Sequence, residues 1–182
     1  MGRLILVLGG ARSGKSAFAQ RMAQERGGEH VLYVATAEAG DAEMQQRIEM
    51  HRRSRPAAWR TVEAPRDAAT AILKHAQEAR AVLLDCLTML VSNRLVEADD
   101  VFAPELEAEI MAGVEALAAC AQQLAADLII VSNEVGLGLA PAYPLGRAFR
   151  DIVGRANQAL AQRADEVYFL AAGIPMILKG SE

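Results

Sequence analysis

Short runs of branched apolar residues alternate along this chain with longer stretches in which apolar positions follow the helical period. The runs are Arg3–Leu8 (RLILVL), Val31–Ala35 (VLYVA), Ala81–Asp85 (AVLLD), Leu128–Ser132 (LIIVS) and Glu166–Leu170. Such runs predict strands buried on both faces. Trp59–Glu63 reads as a short extended segment and Met176–Lys179 as a last, short strand. The helical period predicts helices over Lys15–Arg26, closed by Gly27–Gly28, and over Asp41–Arg55, stopped by Pro56. Further helices are expected over Arg66–Ala79, Leu87–Val96, Pro104–Ala125 and Leu145–Arg163. Strands and helices in turn mean βαβ units. The expected fold is α/β, with a mostly parallel central sheet flanked by helices and ligands bound at the carboxyl ends of the strands. A length of 182 residues suits one domain spanning 1–182.

Composition narrows the class. Apolar residues make up 52% and charged residues 23%, which excludes a chain too polar to build a core. The net charge of −4 argues against broad nucleic-acid binding, although a local basic cluster would still suit a small phosphorylated molecule. Cys86 and Cys120 lie in apolar surroundings and read as small core residues in a reducing compartment. The run Leu4–Leu8 is too short for a secretory signal, and no stretch approaches the ~20 apolar residues of a membrane span. A cytoplasmic protein is therefore expected.

The chemistry begins after the first strand. Gly9, Gly10, Ala11, Arg12, Ser13, Gly14, Lys15 and Ser16 fit the pattern G-x-x-x-x-G-K-[ST]. Glycines let the backbone curl so that several N–H groups point at phosphate, and the next helix adds its positive end. Lys15 would reach the terminal phosphates of a nucleoside triphosphate, and Ser16 would offer its hydroxyl to Mg²⁺. Asp85, at the end of a buried strand, suits a second Mg²⁺ ligand or a cap for the next helix. Glu134 follows another strand end and reads as a base or as a turn cap.

The segment Glu43–Arg55 places Met44, Ile48, His51 and Arg55 on one helical stripe, with Arg52 and Arg53 adding positive charge. A histidine among arginines suits phosphate chemistry, since neutral imidazole attacks phosphorus. A solvated basic helix end fits the same pattern. His30 and His75 read as ordinary, and Trp59 as a core or cover residue. Glu63 is a lone carboxylate that would suit guanine, whose ring N–H and amino group a carboxylate accepts together. The loop alone also fits a kinase of another small alcohol or nucleotide, or a nucleotide-binding module without catalysis.

Several segments in order carry a resemblance: GGARSGKS, VLYVATA, EMQQRIEMHRRSRPAAWRTVEAP, LLDCLTMLVSN, SNEVGLGLAP and FRDIVGRANQ. From Arg3 to about Lys179 the chain resembles the bifunctional adenosylcobinamide kinase / adenosylcobinamide-phosphate guanylyltransferase family. The resemblance implies a RecA-like, three-layer P-loop fold and a homotrimer. It implies phosphorylation of adenosylcobinamide by ATP or GTP. Transfer of GMP from GTP to adenosylcobinamide phosphate would follow, through a GMP–histidine intermediate. The family pattern R-I-x-x-H-x-x-x-R-P falls on Arg47, Ile48, His51, Arg55 and Pro56, which makes His51 the implied nucleophile. Val34, Ala35, Thr36, Arg52, Arg53, Ser54, Glu63 and Asp85 match family segments that contact GTP. Some relatives carry a second histidine beside the nucleophile; here that position is Met50.

Overall fold

Alternate residues of the central strands feed two separate cores. Leu4, Leu6 and Leu8 face one hydrophobic cluster, and Ile5 and Val7 face the other. The strands are buried on both sides, as their continuous apolar runs require. The computed structural model describes residues 1–40, 42–53 and 55–180, apart from the side chains of Glu43 and Arg47.

In chain order the elements are β1 (Leu4–Gly9), α1 (Lys15–Gly27), β2 (Val31–Ala35), α2 (Ala42–Arg53), β3 (Arg60–Glu63) and α3 (Ala68–His75). Next come β4 (Ala81–Asp85), α4 (Leu87–Val96), α5 (Pro104–Gln123), β5 (Asp127–Asn133), α6 (Pro144–Arg163), β6 (Glu166–Ala171) and β7 (Ile174–Lys179). One seven-stranded sheet runs in the order β3-β2-β4-β5-β1-β6-β7. All neighbours are parallel except β7, which is antiparallel to β6.

Helix α1 covers one face of the sheet through Ala19, Met22 and Ala23, joined by Trp59. The other face is covered by α3, α5 and α6, with residues such as Ile72, Leu117 and Leu160. A third cluster packs α4, α5 and α6 together around Val91, Ile110 and Ile152. This is the expected three-layer α/β architecture. Among the described residues, α2 contributes none to these clusters, so it extends from the strand ends rather than sheathing the sheet. No helix among the described residues is long and apolar enough to cross a membrane.

Several element boundaries differ from the sequence expectation. The third helix starts at Ala68 rather than Arg66 because the Asp67 carboxylate accepts from the Thr70 N–H at 3.1 Å and caps it there. It also ends at His75, four residues short of Ala79. The last strand starts at Ile174, two residues before Met176, because Ala172 and Gly173 take positive φ (52° and 83°) and form a tight hairpin turn. Helix α2 ends at Arg53, so Arg55 lies in the following turn; the expected first residue, Asp41, lies outside the described residues.

At the amino ends of β1, β5 and β6 a charged cluster ties the sheet to the end of α1. Arg26 pairs with Asp127 (2.7 Å) and with Glu166 (2.9 Å), and Arg3 reaches Glu166 at 2.8 Å. The Tyr168 hydroxyl donates to the same carboxylate at 2.8 Å. Burial works against ionisation of Glu166, but the hydrogen bonds from Tyr168, Arg3 and Arg26 outweigh it and hold the carboxyl below its usual range. A carboxyl depressed in the folded state contributes stability above its unfolded pKa, about 4.3, and loses it as pH falls through the lower folded value. Glu166→Gln is therefore expected to lower the unfolding free energy by about 2–3 kcal/mol at neutral pH. That difference should narrow below about pH 4. Urea titrations at both pH values check this; an equal loss at each would contradict the ionic account.

Candidate functional site

The loop after β1 is shaped by constraints on its glycines. A Cβ on Gly9 would lie 2.4 Å from the Ser13 Oγ and 2.8 Å from the Leu170 carbonyl oxygen, so only glycine fits. Gly14 sits at φ +92°, and a Cβ there would press on Gly173 at 3.2 Å. The β6–β7 turn clamps the loop from outside, with the Gly173 N–H donating to the Ser13 carbonyl at 2.9 Å. Helix α1 begins at Lys15 with no side-chain cap, so its first N–H groups face the loop's concavity. Lys15 Nζ folds over the loop onto the Gly10 carbonyl at 3.1 Å. Burial lowers the Lys15 pKa, opposed by the nearby Cys86 and Asp85. The Ser13 hydroxyl is buried without a hydrogen-bond partner. A buried orphan hydroxyl in a glycine-rich loop that leads into an uncapped helix N-terminus is what a phosphate oxygen would satisfy.

Asp85 lies at the carboxyl end of β4, two strands from β1. Cys86 occupies the N-cap of α4, so Asp85 does not cap that helix. Its Oδ2 accepts from the Tyr33 hydroxyl at 3.0 Å and lies 4.0 Å from His51 Nδ1. The Asp85–Cys86 peptide is cis. Thr36 braces this turn: its hydroxyl accepts from the Cys86 N–H at 2.7 Å and donates to the Cys86 carbonyl at 2.8 Å. Asn93 in turn donates to the Thr36 carbonyl at 2.9 Å. Burial pushes the Cys86 thiol up to about 11, so it stays protonated near neutral pH.

His51 stands in the last turn of α2 with its side chain 47% exposed. Arg53 pairs along the helix with Glu49 at 3.0 Å, and Arg52 is exposed. The fold thus brings His51 to Asp85 and directs Arg53 along the helix. Val34 is fully buried in the core, backbone included, and so is Thr36, while Ala35 is half-buried at the strand end. Glu63 is exposed at the end of β3, in register with Ala35. Ser54 lies outside the described residues. Glu134 uses its Oε1 to accept from the Gly136 N–H at 2.5 Å, the turn-cap arrangement. Trp59 is buried and donates to the Gly28 carbonyl and Gln24, each at 3.1 Å, as a cover residue would.

Two further side chains complete the site: Tyr33, which the sequence leaves inside a buried strand, and Arg55, which it places on the stripe of His51. Tyr33 reads as a core aromatic, yet its hydroxyl holds Asp85. Arg55 lies with its guanidinium carbon 3.6 Å from the Tyr33 ring centroid, and its buried Nε lacks a hydrogen-bond partner. The available signal was a polar-tipped aromatic inside an otherwise aliphatic strand.

Along the carboxyl edge of the sheet, Glu63 on β3, Asp85 with His51 at β4, and the loop after β1 follow one another in a line. Neighbouring strands are about 4.8 Å apart, so Asp85 lies about 10 Å and Glu63 about 19 Å across the sheet from the loop's strand.

The family model described as cobinamide kinase / cobinamide phosphate guanyltransferase matches residues 5–178. The bifunctional adenosylcobalamin biosynthesis protein CobP of Pseudomonas aeruginosa is 47% identical over 175 residues, covering 96% of this chain and 96% of that protein. The bifunctional adenosylcobalamin biosynthesis protein CobU of Salmonella typhimurium is 41% identical over 182 residues, covering 97% of this chain and 99% of that protein. Among solved structures, the ATPase domain of G40P superposes with a TM-score of 0.58 at 17% identity, covering 98% of this chain and 77% of that one. That likeness supports the P-loop ATPase fold.

Proposed function

Because the chain belongs to the cobinamide kinase / cobinamide phosphate guanyltransferase family, we propose that it performs both reactions, with adenosylcobinamide and then its phosphate as acceptors. In the first, the acceptor's hydroxyl oxygen attacks the γ-phosphorus of ATP or GTP and the nucleoside diphosphate leaves. In the second, a nitrogen of His51 attacks the α-phosphorus of GTP, the bond to the bridging oxygen breaks and pyrophosphate leaves. A phosphate oxygen of the phosphorylated acceptor then displaces the histidine, giving adenosylcobinamide-GDP.

The observation that carries this reading is the line of Glu63, His51 with Asp85, and the phosphate loop along one sheet edge. GTP laid along that line has its β- and γ-phosphates in the Gly9–Ser16 loop, its α-phosphate beside His51 and its guanine toward Glu63. Lys15, Arg12 and the loop N–H groups then stabilise the charge that develops on pyrophosphate. Arg52 and Arg53, with Arg55, supply positive charge beside the nucleophile. Ala35, half-buried at the end of β2, lies at the middle of the path, and the buried Val34 and Thr36 support it from within. Asp85 and Ser16 are hard oxygen donors of the kind Mg²⁺ takes alongside nucleotide phosphates. Mg²⁺ would shield the phosphate charge when bound.

The whole chain, 1–182, acts as one nucleotide-binding domain in the cytoplasm, where ATP and GTP are supplied. The homotrimer is supported by β7, an edge strand exposing Ile174, Met176, Ile177 and Leu178. Mass spectrometry of the protein after incubation with GTP and Mg²⁺ tests the central claim. A single GMP adduct on the peptide containing His51 is expected. Complete absence of an adduct, with GTP bound, would reduce the protein to a kinase.

A further inference from the structure

The loop from Glu134 to Tyr143 follows β5, the strand beside β1, and starts one strand spacing, about 5 Å, from the phosphate loop. The two are joined directly, since the Glu134 N–H donates to the Gly9 carbonyl at 3.0 Å. The loop is anchored at three places. Val135 packs on the α4–α5–α6 cluster. Arg147 donates to the Pro141 and Ala142 carbonyls at 3.2 and 2.7 Å. Pro141 and the Tyr143 ring close on Gly146, where a Cβ would meet them at 2.8 and 2.7 Å. On this held frame Leu137 is 84% and Leu139 97% exposed. Among the described residues of the loops that follow the parallel strands, no other shows a leucine to solvent. The only charged side chain of the loop, Glu134, is turned back onto Gly136.

We infer that Leu137 and Leu139 form the seat of the corrinoid macrocycle, a deduction that rests on the function proposed above. The acceptor is a large ring bearing methyl groups and neutral amides, with its reacting hydroxyl on a short arm. For that hydroxyl to meet a γ-phosphate in the Gly9–Ser16 loop, the ring has to rest on the adjacent wall of the crevice. Two projecting leucines, on a loop whose one carboxylate is turned back and whose neighbouring Arg147 is engaged by the Pro141 and Ala142 carbonyls, match its methyl-bearing edge. A second copy of the chain seated there would roof the path by which the hydroxyl arrives.

The test is the double variant L137S/L139S, assayed for cobinamide phosphorylation at saturating ATP and for GMP labelling by GTP without corrinoid. The KM for cobinamide is expected to rise about 10- to 100-fold, the effect falling on KM rather than on kcat. The rate of GMP labelling should match wild type, and L137M/L139M should return the KM to near the wild-type value. An unchanged KM overturns the assignment. So does a raised KM accompanied by loss of the proposed trimer in sedimentation velocity, which would give these leucines to a subunit contact. Wild-type protein that neither labels nor phosphorylates cobinamide would instead overturn the functional reading itself.

Discussion

Replacing Lys15 with alanine lowers phosphoryl transfer to cobinamide by about 10²- to 10³-fold, the range seen when one preorganised donor to developing charge is removed. The side chain lies folded over the phosphate loop on the Gly10 carbonyl, 3.1 Å away, on the side where the motif places the terminal phosphates. Its partial burial strengthens its interaction with phosphate, because less water screens it. No core cluster includes Lys15, so the variant keeps its fold. Lys15→Arg is not expected to restore the rate, since a planar fork does not occupy the site of a compact ammonium. Guanylyl transfer should fall as well, because pyrophosphate leaves through the same loop. Steady-state kinetics with ATP and cobinamide check the first effect; a loss smaller than tenfold would mean that the loop N–H groups and helix α1 carry the charge without Lys15.

Much of this arrangement is legible in the sequence where its cause is local. The phosphate loop is eight consecutive residues whose glycines answer to contacts within the loop and with the hairpin turn at Gly173. Strands β1, β2 and β4 stand out because a strand buried on both faces has to be apolar throughout. The boundaries that shift do so through single side chains: Asp67 captures the Thr70 N–H and delays α3, and the Ala172–Gly173 turn brings β7 forward. What stays hidden is the order of strands. Nothing in the sequence of β3 says that it lies beyond β2, yet that order alone puts Glu63 at the far end of a line through His51 to the loop. The Tyr33–Asp85 bond joins residues 52 positions apart, and the stacking of Arg55 depends on where the turn after α2 falls. Thr36 shows a further limit. The resemblance marks it as a nucleotide contact, while the fold uses its hydroxyl to brace the Asp85–Cys86 turn.

His51→Ala separates the two reactions. Removing a covalent nucleophile leaves no route to the intermediate, so GMP labelling should drop by at least about 10³-fold. Phosphorylation of cobinamide should continue, since that step needs the phosphate loop, Asp85 and a docked acceptor, with no group from α2. The separation is clean for a structural reason. His51 is half-exposed on a helix that gives no described residue to the cores, so its loss creates no cavity. Asp85→Asn provides the contrast. Asp85 faces His51 at 4.0 Å and also suits the cation that accompanies either nucleotide, so both activities should fall together. Gel analysis with α-labelled GTP, run beside a kinase assay, distinguishes the two variants. Labelling that survives in His51→Ala would move the nucleophile elsewhere. A kinase rate that collapses with it would mean that α2 closes over the site in both reactions, with His51 part of the γ-phosphate pocket.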